Sequence, residues 1–242
     1  MLNKIGEKEF VIAGKRFDGW LFLANFSSFM NFLLGVTMLV LFIFNISIAH
    51  HWFTRGIVFG ASWDAIDGKF ARRSKFKSRF GSQIDTYSDL VTFGLVPTMI
   101  IIDVLHSVNW IIAVICGLMY VYASSFRLSR FMIGGTGKSF SGMPTPVSAI
   151  FIGSLYILNV HWVIIAASAI LISLIMVSSF TYTAMKSIDT TFDRVHFIFG
   201  ITLMLLLTYI PTILIGYIAA IFVLYIYYFI FIGPLHATWR NL

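Results

Sequence analysis

The chain has 242 residues, of which 59% are hydrophobic and only 11% charged, and its mean hydropathy is +0.90. A water-soluble domain of this length cannot hide that much apolar surface, and the apolar runs lack the alternation of a membrane barrel, so both classes are excluded in favour of a polytopic α-helical membrane protein. The net charge of +7 falls in separate clusters, and the single Cys116 rules out an internal disulfide or a cysteine zinc cluster.

In chain order, Met1–Trp20 is polar with interspersed Phe and Trp, and reads as an interfacial helix or arm on the headgroups rather than a cleavable leader. Eight spans are predicted after it. The first four run over Leu21–Ala49, Trp52–Arg72, Ser82–Val104 and Trp110–Arg130. The last four run over Pro144–Val160, Trp162–Thr181, Val195–Tyr209 and Ile213–Phe231. The expected fold is therefore an all-α membrane bundle in one domain. A catalytic core over 21–181 is extended by further helices over 182–242. With eight spans and a cytoplasmic N-terminus, the basic clusters at Lys4–Arg16, Lys69–Arg79, Arg127–Lys138, Lys186–Arg194 and Arg240 all fall inside, and only Arg55 lies near the outer side. The expected location is the cell membrane, with the second and third spans meeting at the cytoplasmic surface.

The stretch from Asp64 to Asp89, where those two spans meet, carries four of the ten acidic residues. A carboxylate at the centre of a membrane helix costs roughly 2.5–3.5 kcal/mol on insertion scales, so four close together call for a cation. Asp64, Asp67, Gly68 and Ala71 recur at i, i+3, i+4 and i+7, one face of a helix, and Asp85 and Asp89 are i, i+4 on the next. A short loop makes the two helices antiparallel neighbours, so the acidic faces can converge. Asp64 lies eight residues before Arg72, roughly 12 Å from that helix end, submerged but within reach of the cytoplasm. Oxygen ligands without His or Cys favour a hard cation, Mg²⁺ or Mn²⁺, which commonly shares its carboxylates with substrate phosphates. A proton or cation path in a coupled transporter is the alternative that the acids alone leave open.

The full pattern is Asp-x2-Asp-Gly-x2-Ala-Arg-x8-Gly-x3-Asp-x3-Asp, filled by Asp64, Asp67, Gly68, Ala71, Arg72, Gly81, Asp85 and Asp89 without departure. It resembles the signature of the CDP-alcohol phosphotransferases, membrane enzymes in which an acceptor hydroxyl displaces CMP from a CDP-linked lipid or alcohol. The resemblance implies that Asp64, Asp67 and Asp85 bind a pair of divalent ions. Asp89 would contribute to that metal site and serve as general base. Asp64, Asp67, Gly68, Ala71, Arg72 and Gly81 would form the CDP site, and a homodimer is implied.

Two further stretches resemble the serine-accepting branch. One is Leu23-Ala24-Asn25 through Asn31 to Gly35, where Ala24 replaces the usual proline and Ser28 the usual threonine. Asn31 is the candidate phosphate contact there, with helix packing as its other reading. The second is Arg127-Leu128-Ser129-Arg130-Phe131 followed by Gly142-Met143-Pro144-Thr145-Pro146. A guanidinium fork suits the carboxylate of serine, so Arg127 and Arg130 are the candidate acceptor site. Lys138 is read as a headgroup anchor, and the basic run Arg72–Arg79 as lipid- or CDP-directed rather than a nucleic-acid surface. The expected reaction joins a CDP-diacylglycerol-type or archaeal ether lipid to L-serine. Glycerol phosphate and inositol phosphate remain alternative acceptors, since both also need basic residues.

Overall fold

The computed structural model describes residues 9–12, 15–44, 50–76, 78–134, 139–179, 181–183 and 191–239. Among the described residues eight helices carry the fold: α1 (Gly19–Ile43), α2 (His50–Arg73), α3 (Arg79–His106), α4 (Trp110–Gly134), α5 (Thr145–Ile157), α6 (Trp162–Val177), α7 (Thr191–Tyr209) and α8 (Thr212–Trp239). Two short antiparallel strand pairs accompany them, β1 (Glu9–Ile12) with β2 (Lys15–Asp18) and β3 (Ser139–Ser141) with β4 (Thr181–Thr183). The architecture is all-helical as expected, and these short strand pairs are additions to it. The segment expected to form an interfacial helix or arm contains a hairpin, in which Glu9–Ile12 pairs with Lys15–Asp18. The loop expected between the fourth and fifth spans supplies β3, while Lys138 lies outside the described residues.

Among the described residues, α1, α3 and α4 (to Met132) are long and apolar enough to cross a membrane, and four shorter apolar helices lie in α5, α6, α7 and α8. The remaining helix, α2, carries Asp64, Asp67, Lys69, Arg72 and Arg73, and so is too polar along its site end to count as a lipid-facing span. It packs instead among α1, α5 and α7. On α1 the outer stripe Phe22, Phe26, Phe29 and Leu33 stays exposed, the signature of a surface solvated by lipid tails. The protein is an integral membrane protein.

One interruption was not anticipated from the expected third span. Leu90–Leu95 of α3 form a π-helical turn immediately after Asp89. Pro97 explains it: proline has no N–H to donate to Phe93 O, so the helix cannot continue with its normal bonding. The Val96 N–H reaches Val91 O instead, and the Tyr120 hydroxyl of α4, fully buried, donates to Phe93 O at 3.3 Å. The turn brings Thr92 against α1, where its hydroxyl donates to Asn31 O at 3.0 Å. Gly35 and Gly60 face Thr92 so closely that a Cβ on either would collide with it.

Candidate metal and nucleotide site

The site sits where the ends of α1, α2 and α3 converge. Carboxylate oxygens of Asp64, Asp67 and Asp85, one from each, lie within 4.8 Å of one another. The i, i+3 spacing on α2 puts Asp64 and Asp67 one above the other, and α3 brings Asp85 across from them. Asp67 is buried, and Asp64 and Asp85 are half-buried. Asp85 Oδ1 is buried without a hydrogen-bond partner among the described residues. Three converging anionic oxygens, one of them orphaned, repel one another unless a cation offsets their charge. The donor set is all oxygen, so the residues fit a hard divalent ion.

Asp89 stands outside that set of three. It is nonetheless within electrostatic reach of Asp64, Asp85, Asp67 and Arg127. Asn31, fully buried on α1, donates from Nδ2 to Asp89 Oδ1 (3.4 Å), and its own Oδ1 has no hydrogen-bond partner among the described residues. Arg127 comes from α4, donates to the Thr145 hydroxyl between the two prolines that open α5, and faces Asp89 and Asp64 electrostatically. Arg130, one turn later, turns away. Its guanidinium donates to the carbonyls of Met176 (3.3 Å), Val177 (3.3 Å) and Ser178 (3.1 Å), the open C-terminus of α6. Gly142, at φ +78°, lets the chain pass beside that guanidinium, where a side chain would strike Met176 O. The two arginines expected to act together thus occupy different surroundings.

The remaining signature residues line the approach. The guanidinium of Arg72 folds back over Gly68, lying 3.4 Å from where a Cβ would be. Ala71 is exposed. Gly81 lies against the Asn25 side chain of α1, whose amide oxygen would have to move to admit a Cβ.

The sequence reading missed Ser28 as a site residue. Its hydroxyl donates to Asp67 Oδ2 at 2.8 Å, leaving the other carboxylate oxygen uncommitted by that bond. Its carbonyl accepts from Ser88 at 2.7 Å. The signal was present: Asn25, Ser28, Asn31 and Gly35 are small or polar positions spaced i, i+3, i+6 and i+10 in an otherwise apolar helix.

The converging carboxylates of Asp64, Asp67 and Asp85, with Gly68, Gly81 and Arg72 beside them, form a cluster that could hold a divalent metal ion. Residues 21–177 match the CDP-alcohol phosphatidyltransferase family, and the chain belongs to that family. Among curated relatives, the chain is 33% identical over 124 residues to an archaetidylserine synthase of Methanothermobacter thermautotrophicus, covering 50% of this chain and 53% of that protein. It is 34% identical over 121 residues to a CDP-diacylglycerol–serine O-phosphatidyltransferase of Methanocaldococcus jannaschii, covering 50% and 58%. It is 34% identical over 104 residues to the enzyme of that name from Bacillus subtilis, covering 41% and 59%. The matched stretch thus spans little more than half the length of these relatives.

Proposed function

We propose that the protein transfers a phosphatidyl or archaetidyl group from a CDP-activated lipid to L-serine, releasing CMP. The observation that carries this reading is the convergence of Asp64, Asp67 and Asp85 at the positions of the complete signature. The names of the relatives support serine as the acceptor. In this reading Asp64, Asp67 and Asp85 hold Mg²⁺ or Mn²⁺, as one ion or a pair. The bound ion supplies charge neutralisation at the diphosphate and the departing CMP.

The chain's own residues do the rest. Gly68 and Ala71 leave the surface low enough for the nucleotide to approach, Gly81 makes room for the Asn25 side chain beside it, and Arg72 offers its guanidinium to the nucleotide. The serine hydroxyl attacks the lipid-bearing phosphorus, a new P–O bond forms, and the P–O bond to CMP breaks. Asp89 takes the hydroxyl proton, a role its place outside the carboxylate trio favours over ligation. Asn31 orients Asp89 and contacts the nucleotide phosphates. Arg127, aimed at Asp89 and Asp64, receives the serine carboxylate, and Arg130 supports it by fixing the end of α6. The site opens to the cytoplasm, where both CDP-lipid headgroup and serine are available, and the enzyme works as a homodimer.

The test is CMP release by the purified full-length protein with Mn²⁺, CDP-diacylglycerol or its ether analogue, and a panel of serine, glycerol phosphate and inositol phosphate. Release with serine alone is expected. Release with another acceptor only would reassign the substrate, and ion flux in liposomes without CMP release would replace the enzyme by a transporter.

A further inference from the structure

Asp18, the last residue of β2, is buried at 2% exposure and belongs to no signature. It makes three bonds at once. Oδ1 accepts from the Leu21 N–H at 2.9 Å, capping α1, and lies 2.7 Å from the Ser74 hydroxyl. Oδ2 accepts from the Lys75 N–H at 2.9 Å. Ser74 and Lys75 belong to the short loop between α2 and α3. Ser74 in turn accepts from the Phe76 N–H at 3.1 Å, so the loop is bent around the same point. Above it, Trp20 packs against Phe70 with ring centroids 5.7 Å apart, and Arg73 lies over the indole at 5.2 Å. One carboxylate therefore joins the start of α1 to the link between the two acid-bearing helices.

We infer that Asp18 is a positioning residue of the metal site, which sets the axial offset of α2 and α3 by holding the loop between them. This rests on the metal assignment proposed above. Asp67 precedes Ser74 by seven residues, about 10 Å along a helix, so Asp18 does not reach the reacting atoms. Its leverage is mechanical. A slip of one residue moves a helix side chain about 1.5 Å along the axis and about 100° around it. Ligand distances in a metal site tolerate only about 0.2 Å. With the loop tied to the cap of α1, the helix that carries Ser28 is in register with the Asp67 it bonds and with Asp85 opposite. Hydrogen bonds to a charged acceptor are the strong kind, which suits a tie that must not slide.

The test compares the full-length parent with D18S and D18N by Mn²⁺ binding, read from the spin-resonance signal of the free ion. Amide exchange over 74–82 and the KM for the CDP-lipid are measured alongside. Serine caps helices about as well as aspartate, so D18S keeps the Leu21 bond and the fold while losing the reach to the loop. Roughly tenfold weaker Mn²⁺ binding and faster exchange at 74–82 are expected for D18S, with a smaller loss for D18N, which keeps one acceptor oxygen. Unchanged Mn²⁺ binding in D18S, beside a parent that binds the ion, overturns the inference alone. A parent that binds no Mn²⁺ overturns the metal assignment, and the inference with it.

Discussion

Between α1, α2 and α3 the contacts are directional. Ser28 bonds Asp67, Ser88 bonds the Ser28 carbonyl, Thr92 bonds the Asn31 carbonyl, and Asp18 ties the loop. The helices α7 and α8 meet the core mainly through Leu203, Leu207, Ile215, Ala219, Phe222 and Ile226, all buried. Among described residues their polar ties to the core include Arg55 donating to Ile210 O at 2.6 Å and the Ser168–Tyr227 hydroxyl pair at 3.2 Å. Apolar contact rewards area and fills space, but it tolerates exchange of similar side chains. Hydrogen bonds reward one register. A site that must place three carboxylates together therefore uses the second kind of glue, and the closing helices make do with the first.

Five substitutions or conditions would break or sharpen that contrast. Asp67→Asn removes a charge from the trio, and CMP release should fall by about a thousandfold or more, measured as kcat with saturating substrates. Retained activity would remove Asp67 from the metal site. Arg127→Ala should raise the serine KM by roughly ten- to a hundredfold at little cost in the KM for CDP-lipid, since a charge-assisted bond is lost. Ser28→Ala should weaken Mn²⁺ binding about tenfold through the freed Asp67, as loss of a bond to a metal ligand does. Ile226→Val in α8 should cost only about 0.5–1.5 kcal/mol in thermal stability and leave CMP release within about twofold. The smallest effect concerns pH. Burial alone would raise the Asp18 carboxyl, but bonds from the Lys75 and Leu21 N–H groups and the Ser74 hydroxyl hold it below its ordinary value of 3.8. A depressed carboxyl stabilises above the unfolded value and loses that contribution as pH falls through the folded one. Melting of the parent and D18S should therefore differ by a constant amount from pH 8 to 5, and converge only below about 3.8.

The carboxylates were legible because spacing on a helix is a rigid code: i, i+3 on α2 and i, i+4 on α3 leave little freedom in where the acids point. The helix count among the described residues was legible from the apolar runs, but the lengths were not, since only α1, α3 and α4 are long and apolar enough to cross a membrane. Arg130 was harder. Its spacing from Arg127 suggests a shared task, yet its partners are backbone carbonyls some 46–48 residues away, and no side-chain pattern advertises a carbonyl. Asp18 was hidden for the same reason, because two of its three bonds come from backbone N–H groups. The β3–β4 pairing joins residues 40–44 positions apart in the chain, and neither strand alone is long enough to register as one.

The π turn after Asp89 also bears on how the helix arose and how it can be altered. A π turn accommodates one more residue than the α-helical turn it replaces, so the faces on either side of Leu90–Leu95 are counted in different phase. Deleting one residue in that stretch would let the bonding revert to the ordinary ladder at every position but Pro97. Because the wide turn absorbs the extra residue locally, such a deletion would turn Asp85 and Asp89 by much less than the roughly 100° that one residue subtends in a regular helix, relative to Val96–Leu105. The π turn thus acts as a local slack between the acid-bearing end and the anchoring end of α3, and a one-residue length change there would be taken up in the turn before it was felt at the carboxylates.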